Sequence, residues 1–194
     1  MKWISFYTVV FSTALFFCFA SYAAEEKYHI DPAHSFLVWH VNHLGFSNQT
    51  GKWPINGFIL FDQAHPSKSK VAVLIHIHNL VTGIPALNKH LEGALFFNTT
   101  QFPTATFVSN KIILTGKNTA KIEGILTLHG ISKPIAFIAK LNKAGKNPVN
   151  DKMSLGFSAS TQLTRSDFDI KGFLPMISDT VKLNMDVEAQ LDSK

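Results

Sequence analysis

The chain has 194 residues, 46% of them hydrophobic, and a formal net charge of +5 from eighteen lysines and arginines against thirteen acids. The lysines are scattered and form no basic stripe interleaved with aromatics, which excludes the ordinary layout of a nucleic-acid-binding surface. A single cysteine, Cys18, leaves no disulfide to staple the fold, so stability has to come from a packed core.

The N-terminal stretch is set apart before any fold reasoning. Lys2 supplies a positive charge, an apolar run extends from Trp3 to Ala20, and Ser21 and Ala23 precede the acidic pair Glu25-Glu26. A basic start, an apolar middle and a small-x-small end form the layout of a secretory signal peptide. The run sits at the short edge of a ~20-residue membrane span, and Phe17 precedes Cys18 where lipidation needs a small residue. The expectation is a signal peptide over 1–23 and one domain over 24–194, periplasmic or secreted. A chain of ~170 residues buries roughly 70% of its unfolded surface, enough for one core.

From Tyr28 onward the pattern is strand after strand. Strands are expected over 35–42, 55–61, 71–78, 105–109, 111–115, 120–128, 135–141, 153–164 and 180–191, divided by Gly, Asn, Ser, Asp and Pro clusters. Gly45, Ser47-Asn48 and Gly51 read as turn signals between the first two. The last strand alternates most cleanly: Val181, Leu183, Met185, Val187 and Ala189 share one face, and Lys182, Asn184, Asp186, Glu188 and Gln190 share the other. One segment breaks the pattern. Leu87, Leu91 and Leu95 recur every four residues after Pro85, which predicts a short amphipathic helix over 85–97.

Antiparallel strands with one helix in one domain suit a closed barrel or a sandwich. Periodicity leaves both open. Strands 36–41 and 71–77, apolar on both faces, suit a barrel whose inner face lines a cavity.

Several ordered motifs carry a family resemblance. They are Asp31-Pro-Ala-His34-Ser35 followed by His43-Leu44-Gly45; Gly51, then Gly57 and Phe61-Asp62; and His90-Leu91, Phe96-Phe97 and Phe102-Pro103. Gly124-x-Leu126-Thr127-x-x-Gly130 with Pro134, Arg165-Ser166-Asp167-Phe168 and Asp179-Thr180-Val181 complete the set. In this colinear order the chain resembles the YceI-like, polyisoprenoid-binding family. The resemblance implies an all-β, eight-stranded, lipocalin-like antiparallel barrel with one short helix, which binds a long isoprenoid or other linear lipid and no cofactor. Leu87-Asn88, Leu95 and Asn98 stand where the family tends to carry charge, which shifts the expected head group toward a neutral or amide-like end.

The residues expected to line such a tunnel are Trp39, Val41, His43, Phe58, Leu91, Phe96, Phe107, Leu126, Phe137, Phe157, Arg165, Leu183 and Met185. For the aromatic members, core packing and ligand wall can be one surface. Arg165, the sole arginine, has two readings: a bidentate grip on an anionic head, or an ion pair with Asp167, Asp169 or Asp179, which is preferred. His76 and His78 would share one face of a strand at a spacing that can hold zinc or copper, but two ligands do not make a site. Gly156-Phe-Ser158-Ala-Ser160 lacks the final glycine of a nucleophile elbow and alternates like a strand. No catalytic residue is assigned. The leading reading is an exported lipid-binding protein, monomeric or homodimeric, with transient membrane contact left open. An enzyme acting on an isoprenoid or quinone lipid, and a metal-binding stress protein, stand as alternatives.

Overall fold

A computed structural model describes residues 25–192; the expected signal peptide lies outside the described residues. Ten strands and one helix succeed each other: β1 (Glu26–Ile30), β2 (Phe36–His43), β3 (Ser47–Pro54), β4 (Asn56–Phe61), β5 (Lys70–His76), α1 (Pro85–Glu92), β6 (Thr104–Leu114), β7 (Thr119–Leu128), β8 (Ile131–Lys146), β9 (Met153–Thr164) and β10 (Ile177–Leu191). They form one antiparallel sheet that closes into an eight-stranded barrel.

Eight positions hold ten strands because two positions are broken. β1 and β2 lie end to end along one edge of β10, with Ile30 opposite Ala189 and Phe36 opposite Asp186. β3 and β4 lie end to end beside them, β3 on β2 and β4 on β1. Ser35, fully buried, stitches the break: its hydroxyl donates to the Glu188 carbonyl at 3.1 Å and accepts from the Glu188 amide at 3.0 Å. Its own carbonyl accepts from the Ile55 amide at 2.9 Å. Asp31 folds the preceding turn, accepting from the Ala33 amide and from His34. The Asp31–Ser35 motif is thus the closure seam of the barrel, where main-chain groups that leave the ladder still have to be satisfied.

Alternation decides what faces inward, as expected for β10. Two glycines permit close approach inside. A Cβ on Gly51 would stand 2.6 Å from the Trp39 ring, and one on Gly124 would stand 2.5 Å from the Phe107 ring. Each large ring can lie flat on the neighbouring strand only because that position has no side chain.

The structure corrects several element boundaries. Ser47-Asn48 and Gly51, expected as turn signals, lie in strand β3, since Gln49, Gly51 and Trp53 alternate inward opposite β2. The two strands expected over 105–115 are one strand, β6, with a register shift between Ser109 and Lys111. The helix stops at Glu92, because Gly93 is its C-cap in extended geometry. His76 ends β5 and His78 lies in a following 3₁₀ turn, so the two do not share a strand.

Candidate functional site

Strand direction gives the barrel two ends. The upper end carries the 43–47 turn, α1 and the 165–177 segment; the lower end carries the 61–70 loop, the 114–119 turn and the 146–153 loop. Two apolar cavities occupy the interior, about 500 Å³ in the upper half and about 230 Å³ in the lower. Leu37, Ile75, Ala105, Leu126 and Leu183 line both, so the cavities meet at a waist.

An eight-stranded barrel is ordinarily just wide enough to be filled by its own side chains. Here the inward positions of β6 to β9 include Ala105, Ala120, Ala139 and Ala159, all on a cavity wall. Small side chains at these places leave the space that Leu or Phe would fill.

Helix α1 closes the upper end. Leu91 is buried and Leu87 packs beside it, against a cluster that includes Trp53, Phe96 and Ile170. The Trp53 indole N–H donates to the Ile77 carbonyl at 2.8 Å, and its ring meets Phe97 edge-on at 5.2 Å. The upper cavity reaches the surface between α1 and the 172–177 segment, where His90 and Phe173 are both exposed and on its wall. The lower one reaches it at Leu114, Lys117 and Asn118.

Of the residues expected on the tunnel wall, Trp39, Val41, His43, Leu91, Phe96 and Arg165 line the upper cavity, and Phe107, Phe137, Phe157 and Met185 the lower; Leu126 and Leu183 sit at the waist. Phe58 is a correction. Period-two alternation puts Ile55, Ile59 and Phe61 inside, with Gly57 between them at φ +134°, while Phe58 falls on the other face under the Lys27 ammonium, 5.1 Å from the ring centre. Trp53, Phe97, Ile55 and Ile59 were missed. The signal was present in the alternation Trp53, Ile55, Gly57, Ile59, hidden by reading the residues before 55 as a turn.

Arg165 takes the preferred, structural role, but through main-chain carbonyls instead of an ion pair. Its guanidinium, 5% exposed, donates to three carbonyls: Nε to Ser178 at 2.9 Å, Nη1 to Ile170 at 2.8 Å and Nη2 to Ile177 at 3.0 Å. Among the described residues no carboxylate lies within ion-pairing distance. Three of its five N–H groups are spent on main chain, so the residue fastens the 165–170 turn to the start of β10. Burial lowers its pKa from the ordinary value, partly offset by the charge of Asp179. Burial pushes Asp179 up, but the hydroxyl and amide of Ser166, with the charge of Arg165, carry it the other way, below the ordinary carboxylate value.

Asn88, one of the departures from the family pattern, accepts from the Thr82 amide at 3.0 Å and its hydroxyl at 2.6 Å. It anchors the approach to α1. The rings of His76 and His78 are 5.8 Å apart, and among the described residues no third His, Cys, Asp or Glu joins them.

Comparison with known proteins agrees with this architecture. A protein of Pseudomonas putida (strain W619), named only as a UPF0312 protein, is 36% identical over 185 residues, covering 95% of each chain. The crystal structure of the Campylobacter jejuni YceI protein superposes with a TM-score of 0.68 at 31% identity, covering 78% of this chain and 90% of that one. A polyisoprenoid binding domain from Saccharophagus degradans shares the fold, with a TM-score of 0.67 at 16% identity over 85% of this chain and 98% of its own. The model of the YceI-like domain matches residues 28–189, nearly all that the barrel contains. The chain therefore belongs to the YceI-like family.

Proposed function

We propose that this chain is an exported binding protein that holds one long linear lipid, a polyisoprenoid or a fatty-amide-like molecule, for transport, storage or sequestration. The observation that carries the reading is the pair of apolar cavities meeting at Leu37, Ile75, Ala105, Leu126 and Leu183 and reaching the surface at both ends of the barrel. Each methylene withdrawn from water into such a wall contributes ~0.8 kcal/mol, so chain length rather than polar contact supplies affinity. A solved domain of the same fold is described as polyisoprenoid binding, which supports the ligand class.

The head group is the finer part of the proposal. The polar residues on the upper wall are His43, Gln49, His90 and Arg165, and the guanidinium of Arg165 already holds three carbonyls. Most of that fork is committed to main chain, so amide and imidazole groups make up the greater part of the polar wall, which suits a neutral hydrogen-bonding head better than a pyrophosphate. Binding, rather than turnover, is the activity proposed. Native mass spectrometry of protein purified from its own host, with analysis of the extracted lipid, tests it. The expected result is one chemically unaltered long-chain lipid per barrel with an uncharged head. An empty barrel that takes up no prenyl alcohol on titration would sink the reading, and a prenyl pyrophosphate would overturn the head-group part.

A further inference from the structure

Five exposed large apolar side chains stand around the opening of the upper cavity. Phe46, at the tip of the β2–β3 turn, is 91% exposed; Leu44, Leu95, Phe173 and Met176 are exposed beside it. These residues form one rim. The Leu44 amide donates to the Met176 carbonyl at 3.1 Å, which joins the turn to the 172–177 segment. Gly172 approaches so closely that a Cβ would stand 2.5 Å from the Leu95 carbonyl oxygen. Phe173 stacks on Phe96 at 6.0 Å and also lines the cavity, so the apolar surface runs unbroken from the interior to the outside.

Backbone conformation adds a second, independent observation. Leu44 and Phe173 both hold left-handed geometry, with φ of +58° and +59°. Bulky apolar residues rarely adopt that region, and such strain persists where the surrounding structure enforces it. Here it sits at the two rim segments, and at both an apolar side chain is left exposed.

We infer that this rim is a docking surface for a phospholipid bilayer, through which the lipid passes between membrane and tunnel. The inference rests on the lipid-carrier reading. Continuity with the cavity mouth identifies the occupant. A long tail leaving through water exposes every methylene, whereas one leaving into hydrocarbon exposes none. Charge agrees. Two cations at this end are neutralised, Lys171 by Asp169 at 2.7 Å and Lys133 by Asp167 at 3.1 Å, while Lys89 on α1 has no acid in ion-pairing reach among the described residues, so the rim is no concentrated cationic patch. Lys117, Lys143, Lys146 and Lys152 stand at or toward the opposite end, with no acid in ion-pairing reach among the described residues. Insertion of the rim is apolar, in the manner of side chains that anchor at the membrane interface.

The test uses the purified protein as recovered from its host, phosphatidylcholine vesicles, and anthraniloyl geranylgeraniol as a fluorescent probe. Flotation with vesicles is measured without probe, and transfer of probe from protein to vesicles is followed by stopped flow. Transfer by contact gives a rate that rises with vesicle concentration. Phe46→Asp and Met176→Asp are expected to slow it about tenfold or more and to weaken flotation, leaving equilibrium titration with the probe unchanged. Val149→Asp, equally exposed at the lower end, is expected to change neither. A rate independent of vesicle concentration, or wild-type transfer by Phe46→Asp, overturns the inference. So does transfer that needs anionic lipid and is suppressed by half-molar salt, which would assign docking to the lysine-bearing end. A dimer that Phe46→Asp dissociates, seen by sedimentation, overturns it in favour of a second copy. Failure of the wild type to take up probe, with flotation still lost in Phe46→Asp, would instead sink the carrier reading and leave the docking surface standing.

Discussion

Ser35 and Arg165 do similar work at opposite ends of β10. Each is a buried polar side chain that satisfies main-chain groups where the ladder is interrupted, and each replaces hydrogen bonds that a regular strand would make. Arg165→Lys leaves one short-reaching ammonium to serve three carbonyls. The expected loss is about 3 kcal/mol, since hydrogen bonds to a charged donor are worth ~1.5–3 kcal/mol each and lysine keeps part of the interaction. Urea denaturation checks it, and an unchanged midpoint would show that the carbonyls find other partners. Gly51→Ala would force a methyl into the Trp39 ring. A cost of roughly 1–3 kcal/mol is expected for such overpacking, accompanied by a change in the near-ultraviolet signal of Trp39. The residue scale also shows what sequence could say of Arg165: that it was singular. Its three acceptors are carbonyls, which have no identity in a sequence, whereas the acids near it in the chain suggest an ion pair that the fold does not make.

At the scale of elements, the waist is the place where the cavity can be closed without touching either mouth. Ala105 in β6, paired with Ile75 on β5, lies on the stretch of wall that it shares with Leu37, Leu126 and Leu183. Ala105→Phe is expected to divide the tunnel. Affinity should then stop rising with chain length for ligands longer than one cavity, whereas in the wild type each added methylene should contribute up to ~0.8 kcal/mol. A titration series of prenyl alcohols of increasing length measures it, and parallel curves for the two proteins would refute a continuous tunnel. Strand β3 illustrates why elements are harder to read than residues. Ser47, Asn48 and Gly51 carry the composition of a turn, yet they lie in a strand because β2 offers a full ladder opposite, from His43 to Phe36. Tertiary pairing overrides local preference in strands more readily than in helices.

For the whole molecule, closure makes stability depend on carboxylates placed at turns. The hydrogen bond from His34 is the main cause that holds Asp31 below the ordinary carboxylate value, and a main-chain bond from His65 does the same for Asp62. Asp179 is also lowered. Groups depressed in the folded state stabilise it above their unfolded value of 3.8 and lose that contribution as pH falls through the folded values. His34 works in the opposite sense. Its pKa is raised above 6.5 by Asp31, so its contribution is complete below 6.5 and fades as pH rises through the raised value. Urea midpoints are therefore expected to fall on acidification below about pH 4 and to slip slightly above neutrality. Asp31→Asn should flatten both limbs, since it removes the shared partner; an unaltered alkaline limb would show that His34 draws its stabilisation from elsewhere.

Local patterning alone determined an antiparallel β domain with one short helix, because period-two alternation and the Leu87–Leu91 spacing are written into neighbouring residues. Ordered motifs along the chain added the family and, with it, the barrel. That residues 47–54 form a strand was decided only in three dimensions, where β2 offers them a full ladder. The same holds for the tunnel itself. Alanines at 105, 120, 139 and 159 are unremarkable in a strand, and they become a cavity only when closure brings their small side chains to one interior. Void volume and an apolar rim at its mouth are properties of how strands meet, and no single strand carries them.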